Sequence, residues 1–531
     1  MISVSPGIRR QSLGIALLAL LLFSAGVYQQ TSIGFDSRFV LFAQEMLRHG
    51  PSFFPTTYGQ PYADYSALST LFVWLLSLPF GQVNSLTAWL PSAISGAVIV
   101  TLMYRLVAPY SQRWALLSIA LMLLTNTFVT ETRAVSLDLM LAAVAFSVFY
   151  LGYAPDHFAA KRRWWLIFAL LLLGFGIRGP IGLVIPTGML CSYYMLNRQW
   201  QRLFGFGLVA AVLLAACVGG LLWLAQTIGG PDFMHYVVRM QFMGRMDGSE
   251  GVSGSLYYFT GSVGNYALAY PLALLVLAAV WLTTPRQAGP ALRLLQYCTA
   301  ASLIVMVGLS IPQAKKARYL LPILPMAAII AAYPFQVAQG RVSEWLRGLM
   351  QGLWLVVPVL LIGGLLVAQR RFPDELTTLT SILIILGVLQ VIALAVLVRP
   401  RWRAQTLAFC AVLALWSVYV LVFEPVERQL YDTRTFSRAA FALVQKDPAP
   451  LVLHAMGKDA KAIKFMVNID EDFQPVFTES TQELENLQRP AWLMMDENDY
   501  RALQGTPLGA LPPVLSGRFD KNDYVLLHYT L

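Results

Sequence analysis

Apolar residues in this chain run unbroken for lengths that match a bilayer crossing, and the polar links between the runs are short. Hydropathy places spans at about 11–29, 86–107, 113–130, 139–154, 164–178, 181–197, 203–227, 264–283, 294–311, 318–336, 348–368, 378–398 and 405–423, thirteen in all. A further apolar stretch, 66–82, has a core, LFVWLLSLPFG, shorter than the ~20 residues a helix needs to cross, and it contains a proline. It is read as a helix lying at the membrane interface. With it held out of the count, the basic links 105–113, 161–163, 198–202, 286–293, 341–347 and 399–403 all fall on the side of Arg9, as the positive-inside rule requires. The N-terminus is then cytoplasmic, and Asp36, Asp138, Arg178, Lys315 and the C-terminus share the periplasmic side.

Three stretches break the pattern. Residues 34–64, after the first span, begin with Asp36 and continue amphipathically, with Phe39, Phe42, Met46 and Leu47 on one face and Ser37, Gln44, Glu45 and Arg48 on the other. Such a segment is expected to lie along the bilayer surface. The loop 229–264 carries six glycines from Gly244 onward together with aromatics and arginines, which suits a substrate-gating lid or a plain tether. From 424 onward hydropathy falls and helical and strand periods alternate: TFSRAAFALVQK, DAKAIKFMVNI and QELENL read as helices, and PLVLHAM, PVFTES, PAWLMMDE and DYVLLHYT as strands. The expected architecture is therefore an all-α polytopic membrane protein over 1–423, with periplasmic loops 30–85 and 229–264, followed by a small soluble periplasmic α/β domain over 424–531.

Composition agrees. The 531 residues are 57% hydrophobic and 12% charged, with mean hydropathy +0.60, more apolar surface than a water-soluble fold can hide. The net charge of +10 sits mostly in the short links, where topology signals belong, so no nucleic-acid partner is expected. The four cysteines fall inside spans and none has metal-ligand spacing. The first apolar run resembles a signal peptide but lacks a small-residue cleavage site, and it is kept as an anchor.

Candidate chemistry lies at span ends. Asp36 and Asp138 are acids at the mouths of outward loops, where a carboxylate meets water or a partner; each is also what an ordinary helix terminus carries. The segment SIPQAKKARYLLPILP concentrates Lys315, Lys316 and Arg318 on the side where positive charge is sparse. A phosphate would compensate it, and so would anionic lipid head groups. Arg178, before Gly179 and Pro180, breaks the same rule and either joins that site or snorkels to the helix end. Two acids and several bases at one interface suit glycosyl transfer from a lipid-phosphate carrier, with a carboxylate taking the acceptor's proton and cations stabilising the departing phosphate.

The run DSRFVLFAQEML at Asp36, GQPYADYSAL at 59–68, LPSA at Leu90, TRAVSLDLML around Asp138, RGPIGL at Arg178 and KKARYLLPILP at Lys315 occur in the order and spacing of the polyprenyl-phosphate-dependent GT-C glycosyltransferases. Within these the chain most resembles the bacterial aminoarabinose transferases of lipid A and their protein mannosyltransferase-like relatives, over about residues 10–425. The resemblance implies an inverting transferase of the bacterial inner membrane, taking its sugar from an undecaprenyl-phosphate carrier and passing it to a periplasmic lipid, glycan or protein. It matches Asp36 and Asp138 to the two loop acids and Arg38 to the arginine after the first. It matches Lys315, Lys316, Arg318 and Tyr319 to the basic and tyrosine stretch near the carrier phosphate, and Tyr62 and Tyr65 to the substrate-binding first loop. Two departures stand out: Phe39 replaces a tyrosine, and Tyr65-Ser66-Ala67-Leu68 replaces a Lys-Pro-Pro-Leu run, so either another base serves, Arg178 and Lys316 being the candidates, or the donor is held differently. No cofactor is required by the pattern, though two loop acids could share a divalent metal. The alternative reading is a transporter or flippase of lipid-linked sugars, but transporters show internal repeats and midplane charges, and here the acids sit at span ends and no halves match.

Overall fold

The computed structural model describes residues 6–32, 36–64, 67–249, 251–267, 269–283, 289–337, 340–373, 376, 379–487 and 490–530. They form two compact units. One comprises Met1–Val27, Pro61–Ser69 and Trp89–Val422; the other comprises Tyr28–Gln60, Thr70–Ala88 and Phe423–Leu531.

The first unit is helical. Among the described residues of the chain, nine helices are long and apolar enough to cross a membrane, and the pair Gln112–Leu123 and Asn126–Thr132 passes that test jointly with a bend of 75°. The chain is therefore a multi-pass membrane protein. The sequence pattern reads 113–130 as one straight span; the break has a local cause. Thr125 Oγ returns to the carbonyl of Leu121 at 3.0 Å, and the run Thr125-Asn126-Thr127 offers the backbone side-chain partners in place of helical ones. Trp164–Arg178 and Pro180–Leu196 are shorter apolar helices that form a tight hairpin. Gly174 and Gly182 face each other so closely that a Cβ on either would come within 2.1 Å or 1.8 Å of the other's carbonyl oxygen. Only small residues permit that approach.

The glycine-rich segment is more ordered than its composition suggests. Gly230, at φ +76° and ψ −173°, kinks the helix Trp200–Val238, and Pro231 restarts it at a position where a missing N–H costs nothing. With no further breaker before Gly244, helical winding runs on through the π-turn Arg239–Met243, so the first part of 229–264 is helix rather than loop.

The second unit holds a five-stranded mixed sheet. In chain order its strands are β1 (Leu451–His454), β2 (Val476–Thr478), β3 (Ala491–Asp496), β4 (Leu515–Phe519) and β5 (Asn522–Tyr529). They lie in the spatial order β2-β1-β3-β5-β4, with β1 parallel to β2 and β3 and with β5 antiparallel to β3 and β4. Buried Val452, Leu493, Met495 and Leu527 join Leu484, Leu503 and Leu508 in one core. β1 and β3 are buried at every position, as central strands covered on both faces should be. Strand β4 escapes the sequence pattern because Gly517 interrupts it. The glycine is there for room: a Cβ at 517 would come within 3.2 Å of the Phe436 ring.

Residues 36–49 do form one helix, Asp36–His49, but its polar face is not turned to water. Ser37, Gln44 and Glu45 are buried. Gln44 donates to the carbonyl of Val467 at 3.2 Å, and Arg48 pairs with Asp470 at 2.5 Å, so the helix is seated on Ala462–Ile469 of the α/β domain.

Candidate active site

Asp138 is the centre of the charged cluster in the membrane unit. It lies in the first turn of Leu137–His157, where Ser136 caps the helix by accepting from the backbone N–H of Leu139 at 3.1 Å. The turn before it is fixed on three sides. The Ser136 amide donates to Ser92 Oγ at 3.0 Å, the Ser136 hydroxyl donates to the Glu131 carboxylate, and Arg133 donates to the carbonyl of Phe23 at 2.8 Å.

Two arginines close on the Asp138 carboxylate. Arg178 Nε stands 3.2 Å from Oδ1 and Arg318 Nε 2.9 Å from Oδ2, with Asp138 and Arg178 both buried. Arg178 is the last residue of the helix Trp164–Arg178; the Gly174–Gly182 contact sets that helix's height. Gly179, at φ +64° and ψ −147°, turns the chain in a conformation open essentially to glycine alone. The guanidinium of Arg178 also lies over the Tyr319 ring at 5.4 Å. Arg318 and Tyr319 sit in the turns Ala317–Ile323. Pro322 and Pro325 deny α-helical hydrogen bonds to those turns, which wind as 3-10 until Leu324.

Lys316, just before these turns, feels Arg318, Arg178, Asp64 and Asp138. Burial lowers its amine from the ordinary lysine value, the neighbouring arginines lower it further, and the two aspartates pull it back up. Lys315 turns elsewhere: it is buried and donates to the carbonyl of Ser253 at 3.3 Å. The backbone of Ser253 in turn donates to the Gln313 carbonyl at 3.0 Å. Downstream, Tyr266 donates to the Ala317 carbonyl at 2.8 Å and Thr127 to the Asn265 carbonyl at 3.1 Å. The glycine-rich loop is thereby tied to the basic segment at several points. Gln241, from the π-turn, donates to the carbonyl of Ala63 at 3.1 Å and so holds 61–64, with buried Tyr62 and with Asp64, in the same unit.

The membrane unit thus gathers Asp138, Arg178, Lys316, Arg318 and Tyr319, with Lys315 on the adjoining loop contact. Asp36 and Arg38 belong to the second unit. Asp36 opens its helix, and Arg38 donates to the carbonyl of Asp459 at 2.6 Å. Tyr65 lies outside the described residues. Sequence reasoning passed over Glu131, Asp64, Gln241 and Tyr266. Asp64 was visible as an acid inside the quoted run GQPYADYSAL and Glu131 immediately before TRAVSLDLML, whereas Gln241 and Tyr266 lie in the stretch whose glycines hid its order. Among the described residues no three His, Cys, Asp or Glu side chains gather as a metal site would require.

A carboxylate with an arginine on each oxygen serves to hold the two guanidiniums apart and aimed. Two guanidiniums and the Lys316 amine in one cluster are the side-chain types that suit a phosphate.

The fold is shared with a membrane protein of known structure. It superposes on ArnT from Cupriavidus metallidurans bound to undecaprenyl phosphate with a TM-score of 0.71, covering 97% of each chain at 18% identity. The family model described as dolichyl-phosphate-mannose-protein mannosyltransferase matches residues 11–243. The resemblance read from the motifs therefore holds. Among named relatives, the chain is similar to the undecaprenyl phosphate-alpha-4-amino-4-deoxy-L-arabinose arabinosyl transferases of Aeromonas hydrophila, at 24% identity over 61% of this chain, and of Pseudomonas paraeruginosa, at 24% over 80%. The matched region spans 60% of the length of the first and 78% of the second.

Proposed function

We propose that this protein is an inverting membrane glycosyltransferase, moving one sugar from an undecaprenyl-phosphate carrier to an acceptor at the outer face of a bacterial inner membrane, with lipid A or another envelope glycan as acceptor. The observation that carries the reading is the Arg178–Asp138–Arg318 clamp beside Lys316 within a GT-C fold. An acceptor hydroxyl attacks the anomeric carbon, the bond from that carbon to the phosphate oxygen breaks, and the polyprenyl phosphate leaves with the bonding pair. Asp36 takes the acceptor's proton. The guanidiniums of Arg178 and Arg318 and the Lys316 amine stabilise the charge growing on the leaving phosphate. Asp138 is a positioning residue that holds the two arginines. Thirteen crossings follow if the bent pair counts once and, of the four shorter apolar helices, Trp164–Arg178, Pro180–Leu196 and Tyr270–Leu282 cross while Leu68–Phe80 does not. Leu68–Phe80 is held out because Pro79 interrupts it and because only then do the basic links share one side. This orientation puts the α/β domain in the periplasm.

The test is to incubate purified protein and an envelope lipid acceptor with radiolabelled undecaprenyl-phosphate aminoarabinose and to follow both labelled acceptor and free carrier phosphate. Transfer is expected, and Asp36→Asn should lower it by about 10²–10⁴-fold with an unchanged unfolding midpoint. Near wild-type turnover in that variant removes the base role. Carrier relocated across vesicles without sugar release would make the protein a transporter.

A further inference from the structure

Three of the basic links lie together in the membrane unit, at the end of the bundle that the charge pattern assigns to the cytoplasm. Arg113 opens Gln112–Leu123, Arg347 lies in the second turn of Arg341–Arg371, and Arg403 lies in the first turn of Pro400–Val418. The last two helices pack along each other, and Pro400–Val418 also packs on Gln112–Leu123. Arg113 lies within electrostatic reach of both other arginines.

Each guanidinium is held in place without being neutralised. Arg113 lies over the Phe335 ring at 5.6 Å, and its Nε is buried with no hydrogen-bond partner among the described residues. Arg403 uses its Nε on Gln351 Oε1 at 2.7 Å, and Gln351 is itself anchored to the carbonyl of Arg347 at 3.0 Å. Arg347 donates to the carbonyl of Val337 at 2.9 Å. Among the described residues the acid in contact is Glu344, 4.0 Å from Arg347 and 64% exposed on its side chain, which offsets little of three positive charges. Holding three like charges together is unfavourable unless an anion joins them.

What surrounds the cluster is a lipid-facing surface. Trp345 and Trp402, neighbours in sequence of Arg347 and Arg403, are 61% and 59% exposed, as interfacial anchors are. Exposed Val359, Leu360 and Phe409 continue the same two helices toward the bilayer interior.

We propose that Arg113, Arg347 and Arg403 form a binding site for the phosphate head group of an anionic phospholipid of the inner leaflet, separate from the Asp138 cluster and independent of the transfer reaction. The arginines fork onto the phosphate oxygens, the tryptophans sit at the glycerol level, and the acyl chains lie along the exposed aliphatic face.

The test uses the full-length protein, delipidated in detergent. Phosphatidylglycerol, phosphatidylcholine or inorganic phosphate is added, and bound lipid is read by native mass spectrometry beside the thermal unfolding midpoint. Phosphatidylglycerol should bind and raise the midpoint, and the other two should not. The Arg113→Gln, Arg403→Gln double variant should bind phosphatidylglycerol about tenfold more weakly or worse, while keeping the lipid-free midpoint. Should that variant fail to fold, Arg403→Gln alone serves, with an expected loss of about fivefold. Equal phosphatidylglycerol binding by variant and wild type, or an equal effect of phosphatidylcholine, overturns the site. Inorganic phosphate reproducing the shift would overturn the lipid assignment in favour of a soluble anion.

Discussion

At the scale of single residues, the chemistry of the membrane unit depends on which charges are satisfied by one another. Removing one member of a buried ion cluster leaves the rest uncompensated, at about 3–5 kcal/mol. Asp138→Asn is therefore expected to lower stability by about that amount, seen as a lower denaturation midpoint in detergent, and to weaken carrier binding because Arg178 and Arg318 lose their spacer. A variant with wild-type stability would show that the clamp is dispensable. Lys316 gives a prediction in pH. Its amine titrates below the ordinary 10.5, chiefly through burial. The folded protein therefore binds that proton less well than the unfolded chain, and rising pH through the alkaline range favours folding at this residue. Carrier-phosphate affinity should move the opposite way, falling at a lower pH than an ordinary lysine allows, and Lys316→Arg should carry the fall to higher pH. Isothermal titration with undecaprenyl phosphate between pH 7 and 10 measures it; identical profiles for wild type and variant would sink the role. These residues were legible as types, since acids and bases at span ends are conspicuous in an apolar chain. Their partners were not, because nothing in local sequence says that Asp138 meets Arg178 and Arg318 while Lys315 turns to Ser253.

At the scale of elements, the site is placed by close backbone contacts and helix breaks. The hairpin Trp164–Arg178 and Pro180–Leu196 lets Arg178 reach Asp138 because Gly174 and Gly182 touch. Gly182→Ala would drive a methyl to 1.8 Å from the Gly174 carbonyl oxygen, and since backbone rather than a flexible side chain blocks it, the helices must separate. A loss of about 1–3 kcal/mol is expected, with carrier binding reduced although no charged group has changed. Unaltered binding and stability would mean that the contact does not set Arg178. Several spans were readable in the sequence: Ser85–Val107 falls close to 86–107, and Thr380–Val398 close to 378–398. Breaks were harder, because the bend after Leu124 and the winding beyond Pro231 depend on which backbone groups find partners, which hydropathy averages away. The strand β4 was missed for the same reason: Gly517 weakens the local signal while answering to a distant ring, Phe436.

At the scale of the whole molecule, sequence order and packing order differ. The helix Asp36–His49 follows the first span in the chain, yet it is seated on Ala462–Ile469, more than 400 residues later, through Gln44 to Val467, Arg48 to Asp470 and Arg38 to Asp459. Amphipathicity announced the helix but could not say what its polar face met, since a bilayer surface and a protein partner ask for the same pattern. A consequence is that the C-terminal domain orders the segment carrying Asp36. A chain stopped after Glu424 should keep its spans but lose the acceptors of Gln44, Arg38 and Arg48, and the helix 36–49 should open far more often. Trypsin then finds Arg38 and Arg48, and cleavage there should accelerate at least about tenfold, as expected when roughly 1.4 kcal/mol or more of protection is removed. The full chain with Arg48→Ala, which removes that cleavage site, should show a much smaller increase at Arg38, because a partly exposed ion pair contributes at most about 1 kcal/mol. If the truncated chain resists trypsin at Arg38 and Arg48 as well as the intact one does, the α/β domain does not hold that helix.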